Sequence, residues 1–372
     1  MQIACQFFDV SLAFGTLLAH SIFLNPLAHT NMKLDIPLID VSPFWSLKRE
    51  DPQTKALLNQ IDLALKDIGF LCITGTPLSA SYIENAQAVA QRFFDLPLAE
   101  KLKTAAIKYK SRGYTALGEQ GLSYAMDAED IKQNTVQPAD LFERYRIGPI
   151  DDFTQLGESV KPFLETAYAP NQWPYQVASF ESVMKDYYKS MNQLSRNLLK
   201  MFALTLDLDE NWFEDKVDKG MSSLAINHYP TQETPPLPGQ LRAGAHADFG
   251  TLTIVAATSG PGGLQIRNKN KEWIDVSTNP NCLIVNIGDM MAQWSNDRWV
   301  STVHRVVNPP AEVAKENKRL SMVFFHQPNP DAVVSCIPTC ASESNPIKYK
   351  DTLAGVYISE KINRNFKSYR SA

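Results

Sequence analysis

The chain has 372 residues, of which 44% are hydrophobic, and its formal net charge is 36 − 40 = −4. Such a length and apolar content supply a sizeable core and exclude an intrinsically disordered chain. The weakly acidic balance, with no run of basic residues, excludes a nucleic-acid binder, which needs a basic face. The five cysteines, Cys5, Cys72, Cys282, Cys336 and Cys340, are an odd count in a long chain and set no disulfide framework. Cys336 and Cys340 are close in sequence, but no second pair accompanies them to build a zinc site. Reduced thiols in a cytoplasmic, monomeric protein are the expectation.

Residues 1–31 are apolar and hold no Lys or Arg. A secretory leader wants a positively charged start. Asp9 interrupts the apolar stretch, and the uninterrupted run is too short to span a bilayer. Met32 opens Met-Lys-Leu-Asp-Ile-Pro-Leu-Ile-Asp, an ordinary beginning. Residues 1–31 are therefore read as an extension or an upstream mis-called start, with a cleaved leader as the second reading. No membrane association is expected.

Residues 36–40 read as a short strand. Leu57, Ile61, Leu65 and Ile68 share one face of a helix over 54–68, and Gly69 stops it. Residues 70–74 read as a strand, and 80–103 as helical with a break at Pro97. Residues 105–170 are irregular and polar, like long surface connections, which often carry binding residues. Residues 179–206 form the clearest helix, with Val183, Tyr187, Met191, Leu194, Leu198 and Met201 at steps of three and four; this stripe packs against a core.

Beyond residue 220 the texture changes to short β-rich runs at 221–229, 242–247, 251–257, 263–267, 272–276, 282–287, 300–307 and 319–326. Turn signals such as Ser259-Gly260-Pro261-Gly262-Gly263 separate them. Many short strands at this spacing predict a sandwich or barrel, and a jelly roll manages its edges with two facing sheets. The fold class is therefore mainly β with flanking helices. The expected division is a mixed helical region over 32–215, a β core over 216–345 on which it packs, and a C-terminal tail or helix over 346–372, in one structural unit.

His246-Ala247-Asp248 ends one of these strands. Residues i and i+2 of a strand point to the same face, so His246 and Asp248 can reach one point in space. A third nitrogen ligand must come from His228, His304 or His326. His304, in the β-rich run 300–307, fits best. Two histidines and one carboxylate leave open positions on a metal, which is the facial triad of non-haem iron(II) oxygenases, whereas a structural zinc site is closed by four ligands. An H-x-D pair alone is a weak signal. Its company strengthens it: Arg319 and Ser321 share a strand face downstream, and a guanidinium fork with a hydroxyl suits the distal carboxylate of 2-oxoglutarate.

Taken together, His246-Ala-Asp248-Phe-Gly-Thr-Leu-Thr, the 55 residues between Asp248 and His304, His304-Arg-Val and Arg319-Leu-Ser resemble the isopenicillin-N-synthase-like superfamily of 2-oxoglutarate/iron(II) dioxygenases. Gly262-Gly-Leu-Gln-Ile and Asn286-Ile-Gly-Asp289 fit between them in that family's order. Ile36-Pro-Leu-Ile-Asp40 and Asp67-Ile-Gly-Phe70 resemble its opening segment. The resemblance implies a double-stranded β-helix core, with Fe(2+) as cofactor, 2-oxoglutarate as co-substrate and O2. It implies oxidative decarboxylation to succinate and carbon dioxide, coupled to hydroxylation or desaturation of a small-molecule metabolite. Because Asp248 is present, halogenation is not expected. Asn227 and Tyr229, in Asn227-His-Tyr229-Pro, are carried over as neighbours of 2-oxoglutarate. His228 departs from the pattern and points away by parity; His326 likewise reads as a packed histidine. The stretch Phe324-Phe-His-Gln-Pro-Asn is nearer to microbial members, including ethylene-forming-enzyme-like proteins. Phe249, Leu264, Phe325 and the segment Arg112-Gly113-Tyr114 are candidates for lining the substrate. Two other classes stay open at this point: an oxidase of the same superfamily that uses no 2-oxoglutarate, and a non-catalytic small-molecule binder.

Overall fold

The computed structural model describes residues 33–106, 112–122, 138–150, 158–163, 166–258, 260, 263–277 and 282–370. The reading of residues 1–31 as an extension falls outside them, as does the Gly262 of the glycine motif. The strand expected over 36–40 is shortened to β2 (Leu38–Asp40), and a separate strand, β1 (Lys33–Asp35), precedes it in the other sheet. Pro37 lies between them, where a residue without an amide donor and with a fixed φ interrupts the ladder.

Helix α1 (Ser42–Ser46) leads to α2 (Pro52–Asp67). Asp51 caps α2 by accepting from the Gln53 amide at 2.8 Å, and Pro52 occupies its first turn. Leu57, Ile61 and Leu65 are buried on one face. After β3 (Phe70–Thr74), α3 (Ala80–Phe94) stops short of Pro97, and α4 (Leu98–Lys101) follows it. The segment read as irregular contains two strands, β4 (Gly113–Thr115) and β5 (Glu143–Ile147). β5 was hidden by its composition, Glu-Arg-Tyr-Arg-Ile, which puts charge on both faces and so blurs the alternation that marks a strand. The 26 residues of α5 (Phe180–Thr205) bury Met184, Tyr187, Met191, Leu194, Leu198 and Met201. A short α6 (Glu214–Val217) precedes the core.

The core strands are β6 (Ser223–Tyr229), β7 (Ala243–His246), β8 (Leu252–Ala257), β9 (Leu264–Arg267), β10 (Trp273–Ser277), β11 (Leu283–Ile287), β12 (His304–Val306) and β13 (Arg319–His326). Each expected run overlaps one of them, β10 ending one residue beyond its run. The run at 300–307 shrinks to the three residues of β12, whose register against β7 shifts between His304 and Val306. Helix α7 (Asp289–Trp294) follows β11 directly. A small hairpin, β14 (Val333–Val334) with β15 (Thr352–Leu353), leads into the C-terminal helix α8 (Ala354–Arg370). No helix among the described residues is long and apolar enough to cross a membrane.

The strands form an eight-stranded sheet, β2-β3-β11-β8-β13-β6-β5-β4, and a five-stranded sheet, β1-β10-β9-β12-β7. This is the jelly roll, with N-terminal strands β2 to β5 completing the larger sheet on both sides of the core strands. Alternation divides that sheet into two faces. Leu71, Ile73, Val285, Ile254, Met322, Phe324, Leu224, Ile226 and Tyr145 share the outer face and join the helices in the main apolar core. Phe70, Cys72 and Ile284 share the inner face, where they pack with Ile266 and Val276 of the smaller sheet. The same inner face carries the polar residues that build the site.

Candidate active site

β7 and β12 are neighbours in the smaller sheet, and His246 and His304 are direct cross-strand partners. Their rings sit 4.4 Å apart between centroids, tilted by 52°. Each ring is fixed through Nδ1, which faces the backbone carbonyl two residues upstream: His246 to Gly244 at 2.8 Å and His304 to Thr302 at 3.0 Å. A carbonyl only accepts, so Nδ1 carries the proton and Nε2 is left with a lone pair. Asp248 lies just beyond β7. Its Oδ1 is 3.9 Å from Nε2 of His246 and its Oδ2 is 4.0 Å from Nε2 of His304. One ligand atom from each of the three residues falls within 4.8 Å of the others, so the cluster could hold a metal ion. Of the histidines and acids singled out in the sequence, only these three converge.

The larger sheet holds Asp248 in place. Thr253 Oγ1 and Asn286 Nδ2 both donate to its Oδ2 at 2.7 Å, leaving Oδ1 open. Asn286 and Thr253 are cross-strand partners on β11 and β8, which is why both reach the same oxygen. Burial would raise the Asp248 carboxyl, but His304, His246 and these hydrogen bonds outweigh it and hold it below the usual carboxylate range. Burial and the neighbouring His304 push His246 down to about 4, so it is neutral at neutral pH. A carboxylate with two imidazoles is the donor set that suits iron(II). The backbone adds a second restraint. The Asp289 amide donates to the Asp248 carbonyl at 2.8 Å and the Met290 amide to that of Phe249 at 3.2 Å. This contact needs glycine: a Cβ on Gly288 would stand 2.5 Å from the Gly250 carbonyl oxygen.

Arg319 and Ser321 fall on the inner face of β13, opposite Tyr229 and Asn227 of β6. All four are buried in one patch. Burial lowers the Arg319 guanidinium from its ordinary value, with Tyr229 opposing. Two further arginines that the sequence reading passed over complete the patch. Arg242 is fully buried, 5.7 Å from the Tyr229 ring centroid, and bonds the Asn317 carbonyl through Nη2. Its Nε and Nη1 have no partner among the described residues. Arg144, on β5, donates from Nε to Asn227 Oδ1 at 2.7 Å. The signal was partial: Arg144 and Arg146 alternate with the apolar Tyr145 and Ile147, but Glu143 puts a charge on the apolar face as well.

His228 and His326 lie on the outer face. His228 stacks on Phe94 at 5.0 Å and meets Glu143 through Nδ1 at 2.8 Å. His326 meets Thr251 Oγ1 at 2.7 Å, and burial pushes it down to about 3. Among the candidates for substrate contact, Phe325 sits on the inner face beside Thr253. Leu264 packs with the apolar residues between the sheets. Phe249 lies under the Lys361 ammonium of α8, 5.6 Å away. Lys361 and Tyr357 also bond Asp289 Oδ2, at 3.1 and 2.9 Å. Arg112 is buried and bonds the Ala167 carbonyl, whereas Tyr114 turns outward to Glu143.

Comparison with known proteins agrees with this geometry. Residues 220–328 match the 2OG-Fe(II) oxygenase superfamily, and residues 36–176 match the family described as non-haem dioxygenase in morphine synthesis N-terminal. The chain is 30% identical over 332 residues to the 2-oxoglutarate-Fe(II) type oxidoreductase hxnY of Emericella nidulans, covering 86% of this chain and 89% of the relative. It is 30% identical over 348 residues to a homoarginine-6-hydroxylase of Arabidopsis thaliana, covering 89% and 97%. Among solved structures, a full-length Neurospora crassa protein in complex with alpha-KG and thymine superposes with a TM-score of 0.74 at 31% identity, over 88% of this chain and 96% of that one. The alternatives of an oxidase without 2-oxoglutarate and of a non-catalytic binder give way. The chain belongs to the 2-oxoglutarate/Fe(II) oxygenase superfamily and is a 2-oxoglutarate-dependent dioxygenase.

Proposed function

We propose that His246, Asp248 and His304 hold the iron, that Arg319, Ser321, Tyr229 and Asn227 hold 2-oxoglutarate, and that the enzyme hydroxylates or desaturates a small-molecule metabolite lying over Phe325, with Leu264 and Phe249 at its margins. The observation that carries this is the convergence of three donor atoms whose other polar atoms are already committed. Both Nδ1 atoms and Asp248 Oδ2 are occupied, so Nε2, Nε2 and Oδ1 are the atoms left to bind. When bound, iron(II) and 2-oxoglutarate together activate dioxygen and oxidise a substrate carbon, releasing succinate and carbon dioxide.

The protein's own share is positioning and exclusion of water. The backbone carbonyls of Gly244 and Thr302 orient the rings, and Thr253 and Asn286 aim the carboxylate. Arg319 offers a two-pronged contact for the distal carboxylate, with Ser321 and Tyr229 as neighbouring hydroxyl donors. Arg242, beside them with two unpartnered nitrogens, adds a second cation to the same end. The apolar cluster of Phe70, Ile266 and Ile284 closes the space between the sheets to water. Residues 32–215 and 216–345 act as one unit on this reading, since β3 and β5 are strands of the same sheet as the core. A cytoplasmic monomer is likewise proposed; the free Cys336 and Cys340 support a reducing compartment. The test is anaerobic titration of the iron(II) protein with 2-oxoglutarate, following the visible charge-transfer band of the chelate. A band in the wild type that is lost in His304→Ala is expected; a wild type that shows no band and releases no succinate with any metabolite overturns the assignment.

A further inference from the structure

The inner face of β5 presents Arg144 and Arg146, two residues apart and on the same side. Register fixes what they face. Arg144 stands opposite Asn227 of β6, which stands opposite Ser321 of β13. Arg146 stands opposite Ala225, and its guanidinium lies 5.8 Å from the ring centroid of Phe325. Phe325 is in turn the cross-strand partner of Thr253, which bonds Asp248. A line across the sheet therefore runs from the metal ligand through Thr253 and Phe325 to Arg146. Among the described residues, Arg146 has no hydrogen-bond or ion-pair partner; its neighbours are the Phe325 ring and the cations Arg112 and Arg144.

Among the described residues, Arg144, Arg146, Arg242 and Arg319 gather at this inner face, against the carboxyls of Asp248 and Asp140. Asp140 accepts from the Leu122 and Gly244 amides, and burial pushes its carboxyl up to about 7, so its negative charge is itself partial at neutral pH. Iron(II) adds two positive charges and 2-oxoglutarate two negative ones, so the loaded site keeps the same cationic surplus. A buried charge without a counter-ion is costly.

We infer that the substrate is an organic anion whose charged end is held by Arg146, with Arg144 beside it, while its carbon framework lies over Phe325 toward the iron. Arg146 is the specificity residue because its fork is uncommitted. Arg144 already gives Nε to Asn227 and contributes its remaining donors. This rests on the assignment of 2-oxoglutarate to Arg319 and Ser321, and it goes further by naming the substrate's charge class.

The experiment keeps the two apart. The anaerobic iron(II)·2-oxoglutarate protein is titrated at millimolar concentration with a panel of small carboxylates and phosphate monoesters, each beside its neutral amide or alcohol. The shift of the visible band reports arrival next to the metal. Members of the charged set are expected to shift the band and their neutral counterparts to fail. Arg146→Met should weaken the binding of those anions by about 10- to 100-fold, the worth of one charge-assisted pair. Arg146→Lys should recover part of it. The midpoint for 2-oxoglutarate itself should stay within about threefold in Arg146→Met. Three results overturn the inference: neutral probes binding as well as their anions, no member of the anionic panel shifting the band, or Arg146→Met losing 2-oxoglutarate as severely as Arg319→Ala, which would make β5 part of the co-substrate site. A wild type with no band at all would instead overturn the 2-oxoglutarate assignment beneath it.

Discussion

Strand β5 carries two buried polar clusters on opposite faces, and they are built on opposite rules. On the outer face Glu143 accepts from the Lys101 ammonium and meets the His228 imidazole, at 2.7 and 2.8 Å, and takes a third bond from the Tyr114 hydroxyl. Lys101 is closed further by the Phe94 carbonyl at 3.2 Å. On the inner face, one residue along, Arg144 and Arg146 stand among other cations, and Arg242 keeps two nitrogens unpartnered among the described residues. A closed network fixes the fold and has nothing left to bind with. An open one sits where a ligand completes it. Burial alone does not separate the two, since both are buried; the count of uncommitted donors does.

The comparison is broken or sharpened by measurements on each side. The largest effect belongs to the open side. His246→Ala, Asp248→Ala or His304→Ala should bring turnover below detection while circular dichroism shows a folded chain, because each removes an uncommitted Nε2 or Oδ1 and at most two local hydrogen bonds. His228→Ala and His326→Ala should still bind iron; an iron-free His228 variant would place that outer-face histidine in the metal site. Next, Arg319→Ala should weaken 2-oxoglutarate on the order of a hundred- to a thousandfold, as expected for about 3–5 kcal/mol lost with one partner of a buried pair. Arg319→Lys should regain part of it, and iron affinity should hold.

On the closed side, Glu143→Ala should cost stability of similar size, about 3–5 kcal/mol by denaturant titration, because it strands a buried ammonium beside an imidazole. If that variant keeps its stability yet loses 2-oxoglutarate, the division between the two faces of β5 fails. A smaller effect is expected from Asn286→Leu, which removes one of the two donors on Asp248 Oδ2: iron should bind about 10- to 100-fold more weakly, with the fold retained. The last effect is absent at neutral pH and appears only in acid. The His326 pKa is pushed down to about 3 in the fold, below its ordinary value of about 6.5. The unfolded chain then binds more protons in that interval, so stability falls as pH drops from about 6.5 toward 3. Denaturant titrations of metal-free wild type and His326→Gln at descending pH should show a flatter loss in the variant; parallel curves would mean that His326 is not the group that titrates.

Much of this site was legible in the sequence because its parts follow a period of two. His246 with Asp248, and Arg319 with Ser321, are pairs that a strand turns to one face, and the register of β13 against β6 then brought Asn227 and Tyr229 beside them. The parity that turned His228 and His326 to the outer face came from the same rule. Less legible were residues whose role depends on a partner far along the chain. Asn286 and Thr253 reach Asp248 only because β11 pairs with β8, which no local pattern states. Arg144 and Arg146 lay in a stretch read as irregular, since a strand with charge on both faces has no apolar stripe to announce it. Ile36-Pro37 illustrates the reverse error: of five residues that read as one strand only Leu38–Asp40 are paired, since the proline interrupts the ladder.

Gly288 carries a different kind of consequence. It is neither one of the proposed metal ligands nor part of the patch proposed for 2-oxoglutarate, yet the absence of a side chain there lets the turn before α7 lie against Gly250, two residues beyond Asp248. The added methyl of Gly288→Ala has no flexible neighbour to displace, only backbone, so the loop bearing Asp248 must move. In a random-mutagenesis screen scored on activity, such a variant would be grouped with the loss of a ligand, although every donor atom is still encoded. Separating the two requires measuring iron occupancy at saturating metal, where a displaced carboxylate still binds and a deleted one does not.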